Sequence, residues 1–225
     1  QPSRYTIEDL QSAQSRTRRA GWMRLFTRED YENRNRNELM AKPLCVMKFG
    51  GTSVGDADCI RRAAAIVKSA AAQCPVVVVV SAMSGVTNRL VDAAGRAKAG
   101  QNDFLPGLVA DLRKQHTTAL EALVSDPKQR IEIASALSSV LGELERLLQG
   151  TALLSELTPR ALDAISGIGE RLSTPLLSGA IRALGVPSIP VSATELIVTD
   201  PHHGRAEPLM AQTRERSSKR LRPLL

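Results

Sequence analysis

The sequence predicts an α/β protein built on a doubly wound, mainly parallel sheet, and three observations carry that reading. A short apolar stretch, Leu44-Cys45-Val46-Met47, runs straight into two glycines. An Ala-rich segment of helical period follows, and five consecutive valines, Val76–Val80, come after it. Strand, turn, helix, strand, turn, helix is how such a sheet begins. A continuous β-branched run is the pattern of a strand covered on both faces, where neither side meets water.

Each element has a local reason. Residues 44–47 form the first strand. Asp56 or Asp58 is placed to cap a helix through about residue 72, with Ile60, Ala63, Ala64, Val67 and Ala71 on one face. Pro75 ends that helix and the valine run is the second strand. The turn Ser81-Ala82-Met83-Ser84-Gly85-Val86-Thr87-Asn88 leads to a helix through about residue 98. Residues 103–149 read as two helices separated by Asp126-Pro127 and closed by Gly150. Residues 157–184 are helical again, interrupted at Ser166-Gly167-Ile168-Gly169. Gly185-Val186-Pro187 stops them, Ser188-Ile189-Pro190-Val191 reads as a further strand, and residues 211–221 as a basic helix.

Composition bounds the function. The chain has 225 residues, 30 Lys+Arg, 23 Asp+Glu, 43% hydrophobic and 3% aromatic residues. That is enough for one large α/β domain, and too apolar for a disordered chain. The net charge of +7 lies at the two ends, while residues 44–204 carry 15 charges of each sign. A nucleic-acid binder would need a basic stripe with interleaved aromatics on the body, so no specific nucleic-acid partner is expected. No apolar run approaches the ~20 residues of a membrane span, so no membrane partner is expected either. Cys45, Cys59 and Cys74 are an odd set without CxxC spacing, which argues against a disulfide framework and a zinc site; a reduced, cytoplasmic setting is the expectation.

Residues 1–40 differ from the rest. They are polar, hold Trp22, Tyr5 and Tyr31, and include the basic amphipathic stretch from Arg18 to Phe26. The organisation expected is a poorly ordered extension, 1–40, followed by a domain at 41–225, with Met40 as a candidate biological start.

The chemistry concentrates in residues 48–55. Two glycines at the end of a strand leave backbone amides unobstructed, Thr52 and Ser53 add hydroxyls, and Lys48 adds a point charge. That arrangement suits phosphate oxygens, although Gly-Gly after a strand also serves as a plain tight turn. It is neither a Walker A loop nor GxGxxG. His202-His203 are adjacent and so ill placed to share one metal ion. Glu143, Glu145 and Arg146 read as a solvated helix face.

The run Lys48-Phe49-Gly50-Gly51-Thr52-Ser53-Val54 resembles the opening signature of aspartate kinases, members of the amino-acid kinase family. Three further segments agree in order: Val77 to Asn88, the Ser-Gly-Ile-Gly-Glu-Arg-Leu-Ser stretch from Ser166 to Ser173, and Gly204-Arg205-Ala206-Glu207-Pro208. Together they span residues 44–208. The resemblance implies a three-layer αβα sandwich, incomplete at its C-terminus. The implied reaction is phosphorylation of the L-aspartate side-chain carboxylate by ATP, with Mg2+, in aspartate-family amino-acid biosynthesis. In that reading Lys48 is catalytic, and Lys48, Gly50, Gly51, Thr52 and Ser53 hold the nucleotide phosphate. Ser81, Thr87, Glu170 and Arg205 hold aspartate, Arg205 facing its α-carboxylate and Glu170 its ammonium.

Each of the substrate residues also has a plainer role. Arg205 suits a solvated loop, Glu170 a helix N-terminus, Ser81 and Thr87 a turn that satisfies its own backbone. Leu209 stands where some aspartate kinases have an acidic residue near the substrate amine. The chain ends before the family's second glycine-rich stretch, so the expectation is a fragment of a homo-oligomeric parent, with little turnover alone. The competing readings are a non-catalytic metabolite-binding module of the same fold, a basic-tailed interaction protein, and a sibling enzyme acting on another carboxylate or carbamate.

Overall fold

The computed structural model describes residues 43–225. The stretch from Arg18 to Phe26 and the start at Met40 lie outside the described residues.

Strand β1 (Cys45–Phe49) pairs in parallel with β2 (Val76–Val80), in the register Cys45 with Val76 through Phe49 with Val80. Between them a 3-10 turn (Gly51–Val54) leads to helix α1 (Ala57–Ala71). Asp56 is the cap: its carboxylate accepts the Cys59 amide at 2.7 Å. That bond, with smaller help from the Cys59 thiol and the Asp58 amide, holds the Asp56 carboxyl below the usual carboxylate range. Helix α1 buries four of the five apolar residues that its spacing singles out, Ile60, Ala63, Ala64 and Val67, and leaves Ala71, at its last turn, half-buried.

Registered residues in a parallel pair share a face. Met47, Phe49, Val76, Val78 and Val80 all join the core from one face. On the other, Val46 and Val79 are 64% and 50% exposed, so the covered-on-both-faces reading of the valine run holds for one face only. Among the described residues, Ser188 to Val191 form no strand. Pro187 and Pro190 withhold two of the donors a ladder needs, and the segment is instead held to the helices by a Ser178–Ser188 hydroxyl contact of 3.0 Å.

After β2 come α2 (Val86–Lys98), α3 (Leu105–Leu123), α4 (Pro127–Leu154), α5 (Pro159–Ser166), α6 (Ile168–Ala183) and α7 (Met210–Leu221). Helix α4 runs through Gly150 rather than closing there. A mid-helix glycine costs roughly 0.5–1 kcal/mol relative to alanine, less than the burial of Leu148 and Ala152 on either side of it contributes. Glu143 is not merely solvated: it receives a two-pronged Arg171 guanidinium, both contacts 2.7 Å, which fastens α4 to α6 and holds the Glu143 carboxyl below its ordinary range. Helix α6 is the centre of the unit. It packs on α1, α2, α3, α4 and β2 and is buried nearly all round, from Ile168 to Ile181. The core is aliphatic, with Phe49 its one buried aromatic among the described residues.

Candidate functional site

Strand β1 delivers its last residues to one end of the sheet. Phe49 and Val54 are buried on either side of the loop and anchor it, which leaves Thr52 and Ser53 exposed between them. The Ser53 amide closes the turn on the Gly50 carbonyl at 2.9 Å. Lys48 is exposed, and its ammonium reaches back over the loop, since a Cβ on Gly50 would lie 3.2 Å from Lys48 Nζ. Gly51 is pressed against the next turn: a Cβ there would stand 3.1 Å from the Ala82 carbonyl oxygen. Two amides and one ammonium therefore share a small area, with little side chain between them.

The turn after β2 is stitched to that loop. The Ser81 amide extends the ladder to the Phe49 carbonyl at 3.0 Å, and the Ser84 hydroxyl donates to the Gly51 carbonyl at 3.1 Å. Gly85 takes a left-handed φ of +78°, which lets α2 start at once. Thr87 thus belongs to the first turn of α2, half-buried, rather than to the loop before it.

The start of α6 closes the third side. A Cβ on Gly169 would lie 2.6 Å from Ala82 Cβ and 3.3 Å from Val86 Cγ1, so only glycine lets the helix come this near. The buried Ser173 hydroxyl donates to the Ser81 carbonyl at 2.7 Å. Glu170, half-buried in the first turn of α6, accepts the Thr174 hydroxyl on its backbone carbonyl at 2.6 Å. The Gly50-Gly51 loop, the turn from Ser81 to Val86 and the Glu170 turn are thereby brought to one place.

Arg205 arrives differently. Residues 198–209 form a loop with a bridge between Thr199 and Pro208 at its base, and Arg205 stands exposed near its tip. The Gly204 amide donates to Asp163 Oδ2 at 2.8 Å, which fastens this loop to α5. His202 and His203 each face a separate acid, Asp200 at 3.0 Å and Asp163 at 3.5 Å. The His202 side chain is the first cause of a lowered Asp200 carboxyl. Lys48, Glu170 and Arg205 side chains form no ion pair with one another or with any other described residue. Among the described residues no group of three His, Cys, Asp or Glu is placed to hold a metal ion.

Sequence reasoning missed the roles of Ser84, Ser173 and Asp163. The first two stood within quoted segments, and Asp163 precedes Glu170 by seven residues. Nothing in composition distinguishes them from other small polar residues.

The comparisons with known proteins agree in direction. Lysine-sensitive aspartokinase 3 of Escherichia coli is 30% identical over 187 residues, covering 81% of this chain and 38% of that protein. Aspartokinase 3, chloroplastic, of Arabidopsis thaliana is 31% identical over 184 residues, 80% of this chain and 32% of its own length. The crystal structure of E. coli aspartokinase III in complex with aspartate and ADP superposes with a TM-score of 0.69 at 31% identity, over 81% of this chain and 38% of that one. The chain spans under two fifths of the length of each of these relatives. The model of the amino acid kinase family matches residues 43–225. With a parallel βαβ start, a glycine-paired loop at its sheet end and a match over all of the described residues, the chain belongs to the amino acid kinase family.

Proposed function

We propose that this chain carries the aspartate-holding and phosphoryl-holding part of an aspartate kinase, acting in the cytoplasm on L-aspartate and ATP. The observation that supports it most is the convergence of three chain-distant segments, Gly50-Gly51, Ser81-Ala82 and Gly169-Glu170, at one sheet end, with Lys48 over the glycines. The likeness to a structure whose title names aspartate and ADP supports it further.

In this reading the amides of Gly50 and Gly51 donate to phosphoryl oxygens, while Lys48 balances the charge spread over them. Phosphoryl transfer asks for positioning and charge stabilisation more than for covalent help. The attacking side-chain carboxylate is already ionised at pH 7, so no general base is required. Arg205 pairs with the α-carboxylate, Glu170 with the ammonium, and Ser81 and Thr87 supply hydroxyls near them. Magnesium in such enzymes is held largely by phosphate oxygens and water. The described residues offer it no carboxylate cage, and no step here is assigned to it.

The test is a titration of this chain with L-aspartate and with ADP, followed by hydroxylamine trapping of any acyl phosphate formed with ATP. Aspartate binding that weakens about tenfold in Arg205→Ala and in Glu170→Gln is the expected result. A chain that binds neither ligand overturns the proposal. Aspartate binding without nucleotide binding favours a metabolite-binding module instead.

A further inference from the structure

We propose that Asp163 is a positioning residue that aims Arg205 at the site, a step that rests on reading Arg205 as the cation for a ligand carboxylate. The base of the 198–209 loop is well tied. The Leu209 amide bonds to the Val198 carbonyl at 2.8 Å, and the Asp200 amide to the Glu207 carbonyl at 3.0 Å. The buried Thr213 hydroxyl of α7 bonds to both backbone groups of Val198, at 3.0 and 3.1 Å. Asp200 adds an internal brace, its Oδ1 accepting the amides of His202 and Glu207 at 3.1 and 3.2 Å.

Within itself the tip has short turns, His203 amide to Pro201 carbonyl at 3.0 Å and Arg205 amide to His202 carbonyl at 3.1 Å, and the left-handed Gly204 with φ +81°. These bonds shape the tip without saying where it stands. Among the described residues, hydrogen bonding from the tip to another element runs to Asp163 alone: the Gly204 amide at 2.8 Å, with His203 Nδ1 at 3.5 Å from the same oxygen.

Asp163 has a second attachment. Its backbone carbonyl accepts the Gly167 amide at 3.0 Å and the Ser166 hydroxyl at 3.2 Å, in the turn that launches α6 and Glu170. One residue therefore holds the neighbour of Arg205 by its side chain and the approach to Glu170 by its backbone. The cation and the anion of the proposed site are referred to a common point. A half-exposed carboxylate bond of this kind adds little to overall stability, but it restricts where the tip can swing.

Two measurements on this chain test the idea. Trypsin cleaves after Arg205, and cleavage of a native loop follows how often it opens. Asp163→Ala should speed cleavage at Arg205 by at least about threefold, with cleavage elsewhere unchanged as the control for general unfolding. It should also weaken L-aspartate binding by about tenfold, and add nothing to Arg205→Ala in a double-mutant cycle. Asp163→Asn keeps an amide oxygen able to accept the Gly204 amide and should restore most of both properties. Cleavage at the wild-type rate in Asp163→Ala, or full additivity with Arg205→Ala, overturns the proposal. If the wild-type chain binds no aspartate, the substrate reading fails by itself, and the protease result alone decides whether Asp163 holds the loop.

Discussion

The hydroxyl of Ser173, fully buried on α6, donates to the carbonyl of Ser81 at 2.7 Å across 92 residues of chain. That bond joins the turn after β2 to the central helix, beside Glu170, whose carbonyl the same hydroxyl faces at 3.2 Å. Ser173→Ala removes the donor and leaves the half-buried Ser81 carbonyl short of a partner. Such an orphaned group costs about 1–3 kcal/mol. Urea unfolding should show that loss as a lower midpoint with the slope unchanged.

Two glycines should respond in opposite directions to alanine. At Gly169 a new Cβ would meet Ala82 Cβ at 2.6 Å, and both partners sit on packed backbone. Gly169→Ala should lose about 1–3 kcal/mol by overpacking, and should also push the Glu170 turn away from Ser81. At Gly150, inside α4, nothing stands within 4 Å of a Cβ. Gly150→Ala should therefore gain roughly 0.5–1 kcal/mol from the lower entropy of the unfolded chain. Thermal melts of the pair check both signs at once.

Lys48 places its ammonium over Gly50 without an ion-pair partner among the described residues. Lys48→Met should weaken binding of a non-hydrolysable ATP analogue by about tenfold, and leave L-aspartate binding as it was. Calorimetry distinguishes this from a structural role, which would move both ligands together.

His116 sets an acid limit on stability. Its ring is fully buried in α3, with Nδ1 2.7 Å from the Leu112 carbonyl. A carbonyl only accepts, so Nδ1 carries the proton and Nε2 keeps a lone pair without a partner among the described residues. Burial is the main cause that pushes the imidazole below its ordinary 6.5; the Leu112 contact opposes it and the charge of Arg89 adds to it. Below pH 6.5 the unfolded chain takes up a proton that the folded chain refuses, so stability falls as pH drops toward the lowered value. The slope from this group is at most about 1.4 kcal/mol per pH unit. Unfolding free energies between pH 7.5 and 5 should fall more steeply in the wild type than in His116→Leu.

Local chemistry made much of this protein legible from the residues alone. Asp56 before an Ala-rich period, Asp126-Pro127 between two helices, five valines in a row and Gly50-Gly51 after a strand each state a backbone preference that needs no distant partner. The order of elements, and the loop with its lysine, follow from them. The strand expected at Ser188 to Val191 failed for a non-local reason, since a strand exists only where a neighbour accepts its ladder. Gly150 failed as a helix end because the buried face of α4, not the glycine, decides how far that helix continues.

What the chain could not declare in advance is which small polar residues tie the segments together. Ser84, Ser173 and Asp163 look ordinary in order of sequence, and become special only when folding brings Gly51, Ser81 and Gly204 within hydrogen-bond reach. Periodicity and capping are written in neighbours a few residues apart. The convergence of loop, turn and helix start depends on how an aliphatic core packs α6 against everything else, and that geometry belongs to the tertiary structure alone.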